Sequence, residues 1–131
     1  MREQKGNSII DFLSDYTVID IETTGLSPKW DEIIELGAIR YRDRKPVAEY
    51  DTLVKCSYPL DPFITNLTGI TNEMLEDAPP ITDVIKDFYG FVGNDIVIGN
   101  NVSFDINFIY DACVKYLDVP FSNDHINTIR F

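Results

Sequence analysis

The sequence predicts one α/β domain built on a mixed β-sheet flanked by helices, and three of its features lead there. Two segments of strand composition are joined by a short polar turn early in the chain, two later segments repeat apolar residues at helical spacing, and a short apolar strand lies between those two. The order strand, strand, strand, helix, helix, strand, helix lets the first three strands pair as an antiparallel meander. A fourth strand, reached through helical crossovers, then lies parallel to the first. With 131 residues, 44% of them hydrophobic, the chain has enough apolar material for one core. A single domain over residues 1–131 is expected, with no internal repeat or linking stretch.

YTVIDIE, Tyr16 to Glu22, is rich in β-branched residues and closes on the turn-forming TTGLSP, so it reads as a buried strand with a loop after it. DEIIELGAIRYR (Asp31 to Arg42) and PVAEYDTLVK (Pro46 to Lys55) read as a hairpin around Asp43 to Lys45. Pro59 and Pro62 mark an irregular connection from Cys56 to Phe63, and Thr71 caps a helical turn that ends at Pro79 and Pro80. Val84, Ile85, Phe88 and Phe91 or Val92 give ITDVIKDFYGFV one apolar face, ended by Gly93. DIVIGNN, Asp95 to Asn101, is a short buried strand. Ser103 is then the expected N-cap of a helix with a stripe of Phe104, Phe108, Ile109, Ala112 and Tyr116, ending before Pro120. FSNDHINTIRF could begin a further strand or helix.

A net charge of −11 argues against a long basic groove for nucleic acid. It leaves room for a site that touches only a strand end and draws positive charge from bound divalent cations. Arg40, Arg42, Arg44 and Lys45 cluster at the hairpin, where a solvated tip is the simpler reading than a nucleic-acid patch. Cys56 and Cys113 lack metal-binding spacing and read as reduced thiols. No apolar run is long enough to span a membrane and MREQKGNSIIDF lacks the features of a signal peptide, so a cytoplasmic protein without membrane contact is expected.

Side chains two apart on a strand share a face, so Asp20 and Glu22 project together from the end of the first strand. Their repulsion is relieved by protonation, by basic neighbours or by a hard cation, and oxygen-rich sites suit Mg²⁺ or Mn²⁺. Alone the pair is weak evidence, since acids at strand ends are commonly solvated or cap turns. Asp105, in the first turn of a helix, is equally well explained by the helix dipole. The combination is more specific. A third carboxylate just after the strand ending in GNN arrives where a parallel neighbour of the first strand would deliver it, and three such acids make a two-metal site for phosphoryl transfer plausible.

VIDIETTGLSP, followed by DEIIELGAI, by LTGITNEML with DAPPI, and by IGNNVSFDINFIYD, closely resembles the first two motifs and the spacer of the DEDD (DnaQ-like) 3′→5′ exonuclease superfamily. The likeness runs from about Tyr16 to the C-terminus. It is nearest to the bacterial DNA polymerase III proofreading type, including the exonuclease domain of Gram-positive replicative polymerases. The resemblance implies a ribonuclease H-like fold and two-metal hydrolysis, with two Mg²⁺ or Mn²⁺ ions, releasing nucleoside monophosphates from a 3′ end. By position, Asp20 would bridge both metals, with Glu22 on one and Asp105 on the other. Thr23, Thr24 and Gly25 would approach the terminal nucleotide through their backbone, with Leu26, Leu67 and Thr68 near its base or sugar. Asn101 and Phe104 would shape the pocket, although a turn residue and a core aromatic are the plainer readings. Glu35 and Gly37 also match, as packing and hydrogen-bonding features of the second strand. The implied partners are a single-stranded 3′ end of DNA or RNA and a replicative DNA polymerase.

The family's third motif supplies a general-base His and a fourth Asp, spaced HxxxxD in the histidine subclass. Here the sole His, His125, is followed five places later by Arg130, so His125 is not expected to be the base. The sequence is accordingly read as a domain whose C-terminal part is missing, with impaired activity and with self-association covering the exposed surface. A noncatalytic protein- or nucleotide-binding module of the same fold is the alternative. Another metal-dependent nuclease of this fold comes third, with the LTGIT spacer against it.

Overall fold

A computed structural model describes residues 13–128. Five strands, β1 (Tyr16–Thr23), β2 (Ile33–Arg42), β3 (Lys45–Leu53), β4 (Val97–Gly99) and β5 (His125–Asn127), form one sheet in the order β3-β2-β1-β4-β5. β1, β2 and β3 are an antiparallel meander, and β4 and β5 are parallel additions on the other side of β1. The expected mixed sheet is present, and FSNDHINTIRF supplies its fifth strand at His125–Asn127.

Four helices complete the described fold: α1 (Pro62–Thr68), α2 (Asn72–Leu75), α3 (Ile81–Val92) and α4 (Val102–Leu117). Ile19 and Ile21 of β1, with Leu36 and Ala38 of β2, pack against Val84, Ile85 and Phe88 of α3 and Phe108 and Ile109 of α4. Strand alternation therefore sends Asp20 and Glu22 to the opposite side of the sheet. A smaller cluster joins Ile34 to Leu60, Ile64, Ile70 and Leu75 and anchors α1 and α2.

Several boundaries differ from the sequence expectation. The stretch Cys56 to Phe63 is not irregular to its end. Asp61 caps α1 by accepting from the Phe63 amide at 2.8 Å, and Pro62 stands in the first turn, where its missing N–H costs nothing. α4 is not capped by Ser103. Its N-cap is Asn101, in left-handed conformation at φ 57° and with no side-chain cap bond, so Ser103 lies inside the first turn. Just before this cap, Gly99 passes close to β1, where a Cβ would stand 3.1 Å from the Ile19 carbonyl oxygen. Tyr116 leaves the stripe for the surface, and Asp105 and Cys113 take places on the buried face of α4.

The hairpin turn is Asp43–Arg44, both at positive φ (52° and 63°), as a two-residue turn matched to strand twist requires. Arg40 and Arg42 do not belong to a solvated tip. Arg40 donates to the Phe91 carbonyl at 2.8 Å and lies 4.3 Å from the Phe91 ring centroid, tying β2 to the end of α3. Arg42 forks onto both oxygens of Asp95 at 2.9 and 3.0 Å, and the buried Thr17 hydroxyl donates to Asp95 at 2.8 Å. Asn123 reaches in from the chain after α4 and donates to the Gly93 and Asp95 carbonyls.

Burial pushes the Asp95 carboxyl up, but Arg42, the Thr17 hydroxyl and Arg40 together outweigh burial and hold it below the ordinary value. Stability from this corner is present above the usual carboxylate range and is lost as pH falls through the depressed folded value. Asp95→Ala is expected to cost about 2 kcal/mol, because it leaves the Thr17 hydroxyl buried without an acceptor. Asp95→Asn, which keeps an acceptor, should cost less; urea denaturation at neutral pH measures both.

Candidate active site

β4 carries the chain parallel to β1 through the pairs Thr17 with Val97 and Val18 with Ile98, and α4 opens three residues after Gly99. That geometry delivers Asp105 to the end of β1 where Asp20 and Glu22 stand. Asp105 is 4% exposed, and its Oδ2 is buried with no hydrogen-bond partner. Burial chiefly, then the charges of Asp20 and Glu22, raise its pKa to about 7, against a lowering hydrogen bond from the Ile21 amide. Asp20 is also raised, by burial first and then by Asp51, with the Ile21 amide opposing, and Glu22 is raised by burial and by Asp20.

Two further acids belong to this neighbourhood. The register sets Glu22 opposite Glu35, and sets Asp20 opposite Gly37, which in turn faces Asp51 on β3. Glu35 is raised to about 7 by burial, by its hydrogen bond with Asp51, and by the charges of Asp51, Glu22 and Asp20. These acids line a groove of about 170 Å³ on the face of the sheet away from α3 and α4. Glu35 is thus more than the packing residue that the sequence indicated, and Asp51 was not singled out there at all. The available signal was the E-L-G and Y-D-T alternation on β2 and β3, but its meaning depends on the register.

The turn after β1 is fixed by its own hydroxyls. Thr23 Oγ1 donates to the Gly25 carbonyl at 2.6 Å, the Glu32 amide donates to Thr24 Oγ1 at 2.9 Å, and Thr24 Oγ1 lies 2.7 Å from the Tyr58 hydroxyl. The Asp31 carboxylate folds under Gly25, where a Cβ would run into it, and accepts from the Ser27 amide at 2.9 Å. Both threonine side chains serve the turn, leaving the backbone to meet a ligand. Leu26 and Leu67 are 85% and 69% exposed. Thr68 is occupied at the end of α1, donating to the Ile64 carbonyl and accepting from the Ile70 amide. The Asn101 amide donates to Asn127, and Phe104 packs on Phe108 with ring centroids 5.1 Å apart. His125 opens β5 opposite Val97, a sheet position away from the carboxylates on β1.

Among the described residues, no three His, Cys, Asp or Glu side chains are gathered closely enough to hold a metal ion as they stand. Their chemistry nevertheless fits a hard divalent cation. The donors at the end of β1 are all carboxylate oxygens, burial raises the pKa of each, the charge of Asp20 adds to the rise of Glu22 and Asp105, and Asp105 Oδ2 lacks the partner that a buried polar atom requires.

A family model described as exonuclease (RNase_T) matches residues 17–131. The chain belongs to this exonuclease family. The exonuclease-family chain is 43% identical over 104 residues to the PolC-type DNA polymerase III of Bacillus subtilis (strain 168), a match covering 79% of the chain and 7% of that protein. It is 40% identical over 114 residues to the PolC-type DNA polymerase III of Thermotoga petrophila, covering 87% of the chain and 8% of the relative. The matches span less than a tenth of these curated relatives. Among solved structures, apo exonuclease I superposes with a TM-score of 0.77 at 20% identity, covering 87% of this chain and 29% of that one. Exonuclease I of E. coli in complex with a dT13 oligonucleotide gives the same TM-score at 19% identity, covering 88% and 28%. These two likenesses establish the ribonuclease H-like fold.

A carboxyl with a raised folded pKa binds its proton more tightly in the native state, so it favours folding at low pH and opposes it once ionised. Without divalent cation, stability should therefore rise as pH falls from about 8 toward about 5, through the values near 7 of Asp105 and Glu35. Asp105→Asn should flatten that slope and stabilise the cation-free chain at about pH 8 by roughly 2 kcal/mol. Thermal unfolding across this range in EDTA measures both effects, and an unchanged slope in the variant counts against a strained Asp105.

Proposed function

We propose that this exonuclease-family domain releases nucleoside monophosphates from the 3′ end of single-stranded nucleic acid by two-metal hydrolysis, with Asp20, Glu22 and Asp105 as the residues that hold Mg²⁺ or Mn²⁺. The observation that carries this reading is the buried, partnerless Oδ2 of Asp105 beside the charges of Asp20 and Glu22. A structural carboxylate would be expected to have hydrogen bonds there, and a noncatalytic module has no physical need for such an uncompensated group. The PolC-type relatives support a place beside a DNA polymerase III, and the role we assign to the domain there is proofreading in the cytoplasm. The TTGL turn and the exposed Leu26 and Leu67 support an end-binding mode, in which few phosphate contacts are needed and the net charge of −11 is tolerable.

When bound, two such cations supply activation of the attacking water and stabilisation of the departing 3′ oxygen. The chain's own residues do the rest. Asp20, whose charge acts on both Glu22 and Asp105, would serve both positions, and the Ile21 amide donates to Asp105. Thr23, Thr24 and Gly25 present a backbone held rigid by Tyr58, Asp31 and Glu32, so the terminal nucleotide meets a formed cradle. Leu67 and Thr68 of α1 close on its base or sugar, while Asn101 and Phe104 shape the pocket wall.

Calorimetric titration of Mn²⁺, with and without dTMP, tests the reading. Binding is expected to strengthen with dTMP and to disappear in Asp20→Ala; absence of binding by either ligand in the unsubstituted chain would sink it. The 131 residues contain no HxxxxD segment, and loss of a general base costs about 10²- to 10⁴-fold. Hydrolysis of labelled single-stranded DNA by these residues alone is therefore expected to be slow, dependent on Mn²⁺ and absent in Asp20→Ala.

A further inference from the structure

Residues 54–60, which lead from β3 toward α1, have no regular structure and yet are bonded along their length. The Val54 amide donates to the Ile34 carbonyl at 2.9 Å, and Lys55 donates through its amide to the Pro79 carbonyl and through Nζ to the Glu76 carbonyl, each at 2.9 Å. At the far end the Leu60 amide donates to Asn72 Oδ1 at 2.8 Å, and the Leu60 side chain is buried with Ile34, Ile64, Ile70 and Leu75. Between these anchors, Ser57 and Tyr58 bond to the turn that follows β1. The Ser57 amide donates to Glu32 Oε1 at 3.0 Å, and its hydroxyl donates to Oε2 of the same carboxylate. The Glu32 backbone is in turn paired with Thr24: its amide donates to Thr24 Oγ1 and its carbonyl accepts from the Thr24 amide, both at 2.9 Å. Tyr58 completes the circuit, with its hydroxyl 2.7 Å from Thr24 Oγ1. The single proton of Thr24 Oγ1 is directed at Asp31 Oδ1, 3.4 Å away, so the Tyr58 hydroxyl is the donor.

An isolated hydrogen bond at the surface contributes little, because water replaces either partner. A closed circuit differs, since each contact holds the partners of the next in place. Thr24, Glu32, Ser57 and Tyr58 form such a circuit. It joins the two segments assigned to the terminal nucleotide, the turn 23–26 directly and α1 through Leu60 and the N-cap Asp61. We propose that Tyr58 is a positioning residue for nucleotide binding, acting through Thr24 to fix the backbone of the turn relative to α1. This rests on the exonuclease reading, which supplies the nucleotide. A turn free to sway presents its amides at a spread of positions, and affinity falls with the share of time that the matching position is lost. Tyr58 is 40% exposed and stands outside both apolar clusters, so removal of its hydroxyl changes position without dismantling the core.

Tyr58→Phe removes the donor and keeps the aromatic side chain. In calorimetric titrations at saturating Mn²⁺, dTMP is expected to bind this variant about fivefold more weakly than the unsubstituted chain, the scale of one hydrogen bond, while the affinity for Mn²⁺ alone is unchanged. Thr24→Val should weaken dTMP binding at least as much, and adding Tyr58→Phe to it should cost nothing further. In Thr24→Ser, which keeps the hydroxyl, Tyr58→Phe should again cost its full effect. Ser57→Ala opens the same circuit from the other side and should also weaken dTMP without touching Mn²⁺. Unchanged dTMP affinity in Tyr58→Phe overturns the proposal and leaves the exonuclease reading standing. So does a Tyr58→Phe loss that persists in full on the Thr24→Val background, which shows that the hydroxyl does not act through Thr24. An equal weakening of Mn²⁺ alone marks a general loosening of the fold and overturns it as well. Absence of Mn²⁺ and dTMP binding in the unsubstituted chain removes the exonuclease reading and this proposal together.

Discussion

β4 joins β1 through two residue pairs, and the position of Asp105 depends on that short parallel ladder. β1 lies at the centre of the sheet, with β2 on one side and β4 on the other, so its backbone cannot shift without breaking both ladders. Beyond Gly99 the chain turns through the left-handed Asn101 and starts α4 at once. An acidic residue in the first turn of that helix then has little choice but to approach the end of β1. The ladder is reinforced at its base, where Asp95 receives Arg42 and Thr17, and at its top, where the Thr128 amide donates to the Gly99 carbonyl at 2.9 Å.

The two ends of β1 have opposite electrostatics. At the Tyr16 end, one carboxylate is surrounded by donors and lies below its ordinary pKa. At the Thr23 end, carboxylates meet one another and are raised. The first arrangement stabilises the fold at neutral pH, and the second opposes it until a cation or a proton intervenes. Functional sites commonly carry such a cost, and the surrounding structure offsets it. A Glu35 carboxyl held up near 7 carries less negative charge at neutral pH than an ordinary glutamate and so limits the charge on the open face of the sheet.

Net charge describes this molecule poorly because its basic residues are unevenly employed. Arg40 and Arg42 act as internal fasteners between the sheet and α3 or β4, although they read as part of a hairpin tip. Arg44 and Lys45 do lie exposed at that tip.

The sequence by itself determined the first four strands, three of the four described helices, the parallel fourth strand and the co-facial placement of Asp20 and Glu22, because these follow from local periodicity and from chain connectivity; α1 at Pro62–Thr68 was not among them. The motif likeness carried Asp105 into the same site, and in the fold the charges of Asp20 and Glu22 reach Asp105. What local periodicity could not supply was register. Glu35 and Asp51 join the carboxylates only because Glu22 pairs with Glu35 and Asp20 with Gly37, and a slip of one residue would turn both acids to the other face. Capping was equally out of reach: Asn101, in a left-handed conformation that residue type and spacing do not announce, precedes the first turn of α4 in place of Ser103. Tertiary structure also made the Asp95 corner and left Asp105 Oδ2 without a partner, because burial and hydrogen bonding exist only once distant segments have met.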